Sequence, residues 1–296
     1  MHFAIGANAL LGLLAAALWG GGDFAGSIAV RRRGSTIYAA LPVIAIGHTL
    51  SLAFLLSLTL GLHIPVHMST ELLWAVGGGA VSGVSLVAFY LALASGHMGS
   101  AAAVSGLLCA AVPAVVSGLT EGAPGWHRLV GFALAAAAIW LIASSAEDGE
   151  GASRRAMLLS SLGGLGFGFY FVALKIAGSA GLMWPMVGAR VGSDSIVLLL
   201  LIGFAIWMRG KPVTAPVPAW RNTLIWIVGG ATLDTGGNIS FLAAARLGRL
   251  DVAAVLASIY PAGTILLAAA VLHEKTTRRQ QIGMALALPA VVFITL

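Results

Sequence analysis

The sequence predicts an all-α, polytopic membrane protein with ten transmembrane helices, arranged as two inverted five-helix repeats. Composition, the spacing of polar breaks and internal similarity lead to this fold class. Of the 296 residues, 59% are apolar and only 9% are charged, and the mean hydropathy is +0.99. Soluble domains carry about 25% charged residues. A chain this poor in charge is expected to have the hydrocarbon core of a bilayer as its solvent for most of its length.

Apolar stretches of about 20 residues, long enough for a helix to cross a bilayer, are separated by short polar or charged segments. Backbone groups in lipid must be hydrogen-bonded within the spanning segment, so each stretch is predicted to be a helix. Nothing in the sequence alternates like the strands of a membrane barrel. The ten predicted spans are residues 4–28, 37–60, 70–94, 99–119, 127–145, 156–178, 183–208, 221–245, 251–272 and 279–296.

The two halves of the chain resemble each other. WAVGG at 74–78 aligns with WIVGG at 226–230, and the polar segment EDGEGASRR at 147–155 lies at the midpoint of the chain. We therefore predict two five-helix repeats, residues 1–148 and 149–296. An odd number of helices per repeat makes the halves cross the membrane in opposite senses, as in many secondary transporters.

Lysine and arginine are divided unequally between the two sides of the predicted bundle. Basic residues concentrate on the cytoplasmic side of membrane proteins, which predicts that both termini lie outside. The high pI, about 10.1, then reflects these connectors and not a nucleic-acid partner. The connectors after spans 1, 3, 5, 7 and 9 carry eleven basic residues: Arg31, Arg32, Arg33, Arg154, Arg155, Arg209, Lys211, Arg221, Lys275, Arg278 and Arg279. The opposite side carries four, namely Arg128, Lys175, Arg246 and Arg249.

Two short groups of residues, one in the first span and one around the ninth, have the order and spacing of a sequence motif. The residues concerned are Trp19, Gly20 and Phe24, then Tyr260, Pro261, Glu274, Lys275, Gln281 and Gly283. They resemble the EamA-like branch of the drug/metabolite transporter superfamily. The resemblance implies a ten-helix carrier of the cell (inner) membrane that works by alternating access and is not an enzyme. It also implies that many relatives export amino acids or other small metabolites.

Ionisable side chains deep in a span cost roughly 2.5–3.5 kcal/mol each on insertion scales, so they mark candidate functional sites. Arg190 and Asp194 lie four residues apart on span seven and share a face. Two interpretations stay open for them: an intrahelical ion pair without a transport role, or a dipolar site for a zwitterion. Five such residues are found: Asp23, His48, Arg190, Asp194 and Asp234.

Asp234 has no basic residue within helical reach on its own span, and Asn238 follows one turn later on the same face. We interpret Asp234 as a substrate-amine or proton site facing a water-filled cavity. The alternative is an aspartate held by a hydroxyl group or by Arg190 from another helix. His48 is interpreted as an interhelical hydrogen-bond donor or as a proton relay. Asp23, after three glycines, either caps a broken helix or lines a gate.

Aromatic residues and prolines complete the candidate set. Trp19, Tyr90, Tyr170 and Tyr260 are candidates for the cavity wall, with ordinary packing as the alternative. Pro113 and Pro261 each remove a backbone hydrogen bond, which frees the carbonyl oxygen four residues earlier. Both are candidate hinges, and packing alone is again the alternative.

The predicted function is secondary active transport of a small polar metabolite, with export of an amino acid or related compound as the leading substrate. A proton gradient or the gradient of the substrate itself would drive it. The alternatives are a channel or structural membrane subunit, and an intramembrane hydrolase that uses Ser82 or Ser85 with His48. The expected partners are a small molecule, the bilayer and, in one arrangement, a second copy of the chain. No nucleic acid, cofactor or metal is expected, and no phosphate-binding G-x-x-x-x-G-K-[ST] sequence is present.

The predicted cavity is lined by spans 1, 3, 4, 6, 8 and 9. Spans 2 and 7 are expected to act as moving gates. Spans 5 and 10 are poor in polar residues and are expected to lie outside as support.

Overall fold

The computed structural model describes residues 6–33, 37–66, 69–94, 98–143, 154–209, 220–273 and 277–295. Every regular element in these ranges is helical. The α-helices are α1 Ala7–Arg31, α2 Ile37–Gly61, α3 Thr70–Ala94, α4 Met98–Thr120, α5 Trp126–Ala143, α6 Arg154–Ala177, α7 Met183–Trp207, α8 Arg221–Leu247, α9 Leu250–Ala257, α10 Tyr260–Leu272 and α11 Arg278–Thr295, with a short 3-10 turn at Gly178–Ala180.

The helices agree with the predicted spans except at the ninth span. Within the described ranges, six segments are long and apolar enough to cross a membrane, and two shorter apolar helices accompany them. The predicted boundary between residues 148 and 149, and the Glu274-Lys275 pair, lie outside the described residues. The six long segments are Ala7–Arg31, Ala39–Gly61, Thr70–Ala92, Arg154–Ala180, Met183–Trp207 and Leu250–Leu272.

The ninth span is two helices and not one continuous helix, which corrects the prediction for residues 251–272. α9 ends at Ala257 and α10 begins at Tyr260. Pro261 has no N–H group to donate back to Ala257, so the helical hydrogen-bond ladder is interrupted there. Pro113 behaves differently, because α4 continues through it.

Glycines allow α3 and α7 to approach each other closely. A Cβ atom on Gly79 would lie 2.0 Å from the carbonyl oxygen of Ala189, and one on Gly192 would lie 1.9 Å from that of Val76. Both distances are far inside van der Waals contact, so each position requires a glycine. Small residues serve the same purpose in many membrane helix pairs, because helices there gain most from close backbone packing.

Large apolar side chains cover much of the outer surface. Leu119 is 82% exposed, Ile225 is 74% exposed and Leu288 is 71% exposed. Exposed apolar area of this extent marks a surface that another apolar phase covers. Together with the span lengths, it identifies a multi-pass membrane protein whose outer helix faces contact lipid.

Candidate functional site

A central cavity lies near the middle of the helices. About 80 Å³ of it is open to the centres of water molecules, and one water needs only about 10–15 Å³ on this measure. Helices α5 and α11 contribute none of the lining residues in the part of the chain that the structure describes. The lining residues are Trp19, Asp23, His48, Ser82, Leu86, Phe89, Cys109, Phe167, Tyr170, Phe171, Arg190, Asp234, Asn238 and Tyr260.

The lining agrees with the spans that were expected to surround a cavity, and α2 and α7 also take part through His48 and Arg190. Of the candidate site residues, Tyr90 and Asp194 are not in the lining. The sequence did not predict Leu86, Phe89, Cys109, Phe167 or Phe171 as lining residues, and it offered Ser82 only as a hydrolase nucleophile. Small or apolar residues in an apolar span carry no signal that separates a cavity wall from ordinary packing.

Arg190 on α7 forms an ion pair with Asp234 on α8, between Nη2 and Oδ2. The direct pairing of Arg190 with Asp194 that the spacing allowed is therefore wrong. Both carboxylate oxygens of Asp194 instead accept from the Thr49 hydroxyl of α2, at 3.1 Å. The Arg190 side chain is long enough to reach the cavity, whereas Asp194 lies one turn further along α7, against α2.

Asp234 is also held from its own helix and, indirectly, from α6. The Asn238 amide donates to Asp234 Oδ1 at 3.2 Å and to the Asp234 carbonyl oxygen at 2.7 Å. The Tyr170 hydroxyl in turn donates to Asn238 Oδ1 at 2.8 Å. Three helices thus contribute to one polar chain that ends on a single carboxylate. The structure therefore has the arrangement given as the alternative for Asp234, in which Arg190 of another helix holds the carboxylate, and both residues line the cavity.

Asp23 does not cap a broken helix, because α1 runs without interruption from Ala7 to Arg31. Its side chain lines the cavity. The preceding residue, Gly22, packs against α8 so closely that a Cβ atom there would lie 3.3 Å from the Asp234 backbone nitrogen. Asp23 therefore lies beside Asp234 across the α1–α8 contact. In the described part of the chain, its carboxylate has no hydrogen bond and no ion pair.

His48 is not the interhelical hydrogen-bond donor that was one of its two interpretations. Its side chain is buried, with the residue 7% exposed, and it lines the cavity. Its Nδ1 atom has no hydrogen-bond partner among the described residues. Arg190 and Asp234 are within electrostatic range of the ring. A buried polar atom without a partner is uncommon in proteins and calls for an explanation.

A stack of aromatic rings forms one wall. The Trp19 and Phe171 rings are 5.2 Å apart and nearly parallel, and Phe171 lies 4.1 Å from the Phe241 ring. Gly237 on α8 makes room for the indole, since a Cβ atom there would lie 2.6 Å from Trp19 Cδ1. The wall is flat and apolar, and it directly adjoins the charged groups. Tyr90 instead packs with α2 and α7 residues beside the cavity.

The serine residues do not form a nucleophile site with His48. The Ser85 hydroxyl donates to the Val81 carbonyl oxygen of its own helix at 2.7 Å. Within the described ranges no hydrogen bond joins a serine to His48. Nucleophilic catalysis requires such a bond between nucleophile and base. The geometry therefore gives the hydrolase alternative no support.

Four charged residues tie helix ends together at one end of the bundle, and we name Glu121, Lys175, Arg249 and Asp251 the polar end cluster. The Lys175 ammonium donates to the carbonyl oxygen of Gly248 at 2.8 Å and lies 3.4 Å from Glu121. Arg249 pairs with Asp251 at 2.8 Å and donates to the Glu121 carbonyl oxygen at 3.0 Å. These contacts join α4, α6, α8 and α9. The four residues lie at the ends of spans, where charged residues are common, so the sequence alone does not single them out.

Comparison with known proteins agrees with this architecture. The sequence profile of the EamA-like transporter family matches residues 154–296. A crystal structure described only as that of a protein shares the fold, with a TM-score of 0.75 at 17% sequence identity over 99% of each chain. No curated protein sequence matches the chain. The predicted resemblance to the EamA-like branch is therefore confirmed over residues 154–296, and because members of that family are transporters, the match supports a protein that is not an enzyme. The second half of the chain, residues 154–296, is therefore similar to the EamA-like transporter family of the drug/metabolite transporter superfamily.

Proposed function

We propose that the protein is a secondary active transporter that moves a small polar metabolite across the cytoplasmic membrane by alternating access. Export of an amino acid or related compound is the activity that the cavity fits best. The observation that carries the proposal is the Arg190–Asp234 ion pair in the cavity wall. Charged side chains inside a membrane are costly, and they mark substrate or ion pathways when they face a water-filled space.

Charges of both signs face the same cavity, which suits a zwitterion. The guanidinium of Arg190 uses one Nη2–H group on Asp234, and a guanidinium has five N–H donors in all. The remaining donors can receive a substrate carboxylate, while an acid on α1 or α8 receives the ammonium group. This assignment replaces the dipolar site that the sequence offered at Arg190 and Asp194.

The pattern of helix packing supports two repeats of five spans, residues 1–148 and 149–296. Helix α1 packs against α8, and its counterpart five spans later, α6, packs against α3. Helix α4 packs against α6, while α9 and α10, its counterparts in the second half, pack against α1. Helices α5 and α11 pack against each other. Such exchange-symmetric pairing is what two inverted repeats with a binding site between them would produce.

A carrier must close one end of its cavity before the other end opens. The polar end cluster ties α4, α6, α8 and α9 together at one end, so it is suited to keep that end closed. The interrupted ninth span is suited to bend as the ends exchange, because the break at Pro261 leaves α9 and α10 free of a shared hydrogen-bond ladder. A proton gradient or the gradient of the substrate would supply the energy.

Counterflow in proteoliposomes tests the proposal. The vesicles are loaded with an unlabelled mixture of the common amino acids, and a trace of the same mixture with isotopic label is added outside. A carrier exchanges internal for external substrate, so the labelled compounds that it accepts accumulate transiently above equilibrium. Mass spectrometry of the vesicle contents then identifies these compounds.

The double variant Arg190→Ala/Asp234→Ala should abolish the accumulation, while Asp194→Asn, which lies outside the cavity lining, should retain it. A channel would only equilibrate the label, without a transient excess. That result, or no labelled amino acid entering at all, would contradict the proposal.

A further inference from the structure

Asp23 is the carboxylate in the central cavity that has no fixed partner. Asp234 is held by Arg190 and Asn238, whereas Asp23 has neither a hydrogen bond nor an ion pair in the described residues. Both face the same cavity. The ion pair leaves Arg190 and Asp234 neutral as a unit, so the negative charge of Asp23 is the one left uncompensated.

The surroundings of Asp23 do not supply a counter-ion. Among the described ionisable groups that surround Asp23, Arg190 is the one permanent cation, and it is already paired with Asp234. The groups are Asp234 on α8, Tyr260 on α10, Tyr90 on α3, Cys109 on α4, Tyr170 on α6, His48 on α2 and Arg190 on α7.

An uncompensated carboxylate in an apolar interior is costly, and a proton or a bound cation removes the cost. A second observation points to a missing ligand in the same place. His48 is 7% exposed and lines the cavity, and its Nδ1 atom has no partner in the described part of the chain. The cavity therefore contains both a free acid and a free imidazole nitrogen.

We propose that the Asp23 carboxylate alternately holds a proton and the ammonium group of the substrate, while the Arg190–Asp234 pair remains a fixed dipole. This inference rests on the proposed carrier function and specifies its coupling site. Proton and ammonium compete for one carboxylate, so each substrate molecule that leaves the site admits one proton.

The aromatic wall specifies the rest of the substrate. The Trp19 and Phe171 rings are stacked beside Asp23 in the lining. Such faces attract both a cationic group and a flat apolar body. The substrate class is therefore an amine with an apolar or aromatic body, which includes the aromatic and large aliphatic amino acids.

Carbodiimide labelling tests the inference without requiring transport. N,N′-dicyclohexylcarbodiimide modifies protonated carboxyl groups in apolar surroundings, and mass spectrometry of peptides locates the adduct. The purified full-length protein is labelled near neutral pH, alone and with each of three probes: 2-phenylethylamine, 3-phenylpropionate and L-phenylalanine. The first two share a ring and a short chain but carry opposite charges. A primary amine can couple with a carboxyl group that the carbodiimide has activated, so peptides are analysed for this amide as well as for the carbodiimide adduct, and a carboxyl group counts as protected only when neither product forms.

We expect the adduct on Asp23 and not on Asp234. At ten times its half-protecting concentration, 2-phenylethylamine should lower labelling of Asp23 about tenfold by simple occupancy. L-phenylalanine should also protect, and 3-phenylpropionate should not. The variant Asp23→Glu should still be labelled at residue 23, which shows that a folded protein with a carboxyl group there keeps the reactivity.

Labelling of Asp234 in preference to Asp23, absence of any adduct, or equal protection by the amine and the carboxylate would overturn the inference. These outcomes are independent of the counterflow result. If counterflow is observed but the amine does not protect Asp23, the carrier function is supported and the assignment of Asp23 as the coupling site is contradicted. If the amine protects Asp23 but no counterflow is observed, the carrier function is contradicted and Asp23 is supported only as a site that binds an ammonium group.

Discussion

Arg190 and Asp234, which are 44 residues apart in the chain, form an ion pair that joins α7 to α8 in the wall of the central cavity. Asp194, one turn from Arg190 on the same helix, is bound by Thr49 and takes no part in the pair. The arrangement fixes the orientation of the guanidinium, and it leaves Asp23 as the cavity acid without a partner.

The two halves of this ion pair should differ in their effect on stability. The Arg190 side chain is 8% exposed and that of Asp234 is 38% exposed. Asp234→Ala would leave a buried guanidinium unpaired, which costs about 3–5 kcal/mol. Arg190→Ala would leave a carboxylate that water in the cavity can reach, so its cost should be smaller. Thermal unfolding in detergent measures both.

The double variant Arg190→Ala/Asp234→Ala serves as the control for this prediction. It removes both charges and should unfold at a higher temperature than Asp234→Ala alone. If the double variant is as unstable as the sum of the single variants, the two residues do not stabilise each other and the ion pair contributes nothing to the fold.

Close packing of α3 on α7 gives a second prediction. Gly79→Ala would put a methyl group 2.0 Å from the Ala189 carbonyl oxygen, so the helices would have to separate. We expect a loss of about 1–3 kcal/mol or more and a lower yield of monodisperse protein in detergent. Gly77→Ala, on the same helix, has no atom within 4 Å of its added methyl group and should be tolerated. Equal behaviour of the two variants would refute the close contact.

Gly237→Ala should disturb the aromatic wall without unfolding the protein. The added methyl group would lie 2.6 Å from Trp19 Cδ1, so the indole must move from its place on Phe171. Loss of one stacked contact predicts a roughly two- to tenfold rise in the concentration of L-phenylalanine that half-protects Asp23 from the carbodiimide. Gly229→Ala, on the same helix, meets no atom within 4 Å and should leave that concentration unchanged. An equal rise in both variants would show that displacement of the Trp19 indole is not the cause, which would contradict the prediction.

Orientation is a prediction that cysteine labelling can check. The single cysteine, Cys109, is buried and is replaced by alanine in the parent chain. Ser179→Cys and Thr277→Cys then introduce one exposed thiol each, at opposite ends of the bundle. The excess of Lys and Arg on the side of Thr277 predicts that side to be cytoplasmic. A membrane-impermeant maleimide added to intact cells should therefore label the cysteine at position 179 and not the one at position 277. The reverse pattern would show that the protein has the opposite orientation in the membrane.

The sequence predicted the helices well because backbone N–H and C=O groups in lipid must form hydrogen bonds within their own span. This constraint makes each span a helix, whose length and polar ends can be recognised in a sequence. It identified eight of the residues that line the cavity, because charged, amide-bearing and large aromatic side chains with a polar group stand out in apolar spans. The partner of Arg190 was not predictable in this way. Spacing along one helix offers Asp194, whereas the choice of Asp234 depends on which helices become neighbours.

The break in the ninth span shows the same limit. Pro261 indicates a weakened helix, and Pro113 gives the same local signal within α4. Of the two helices, α4 continues through its proline, whereas the ninth span is interrupted at Ser258 and Ile259, so the proline alone does not predict a break. The polar end cluster was missed because its members lie at helix ends, where solvated charges are common and carry no information about their partners.

Proton movement coupled to substrate efflux tests most directly whether a free acid in the cavity exchanges a proton for the substrate. Proteoliposomes with a trapped pH dye are loaded with L-phenylalanine and diluted into buffer without it. The native protein should release L-phenylalanine and acidify the lumen. Asp23→Asn keeps an oxygen atom that can accept from the ammonium group but cannot bind a proton, so it should exchange labelled L-phenylalanine, with weaker affinity, without acidification. Asp194→Asn should behave like the native protein. Acidification by Asp23→Asn at the native rate, or no release of L-phenylalanine by the native protein, would contradict this account of the cavity.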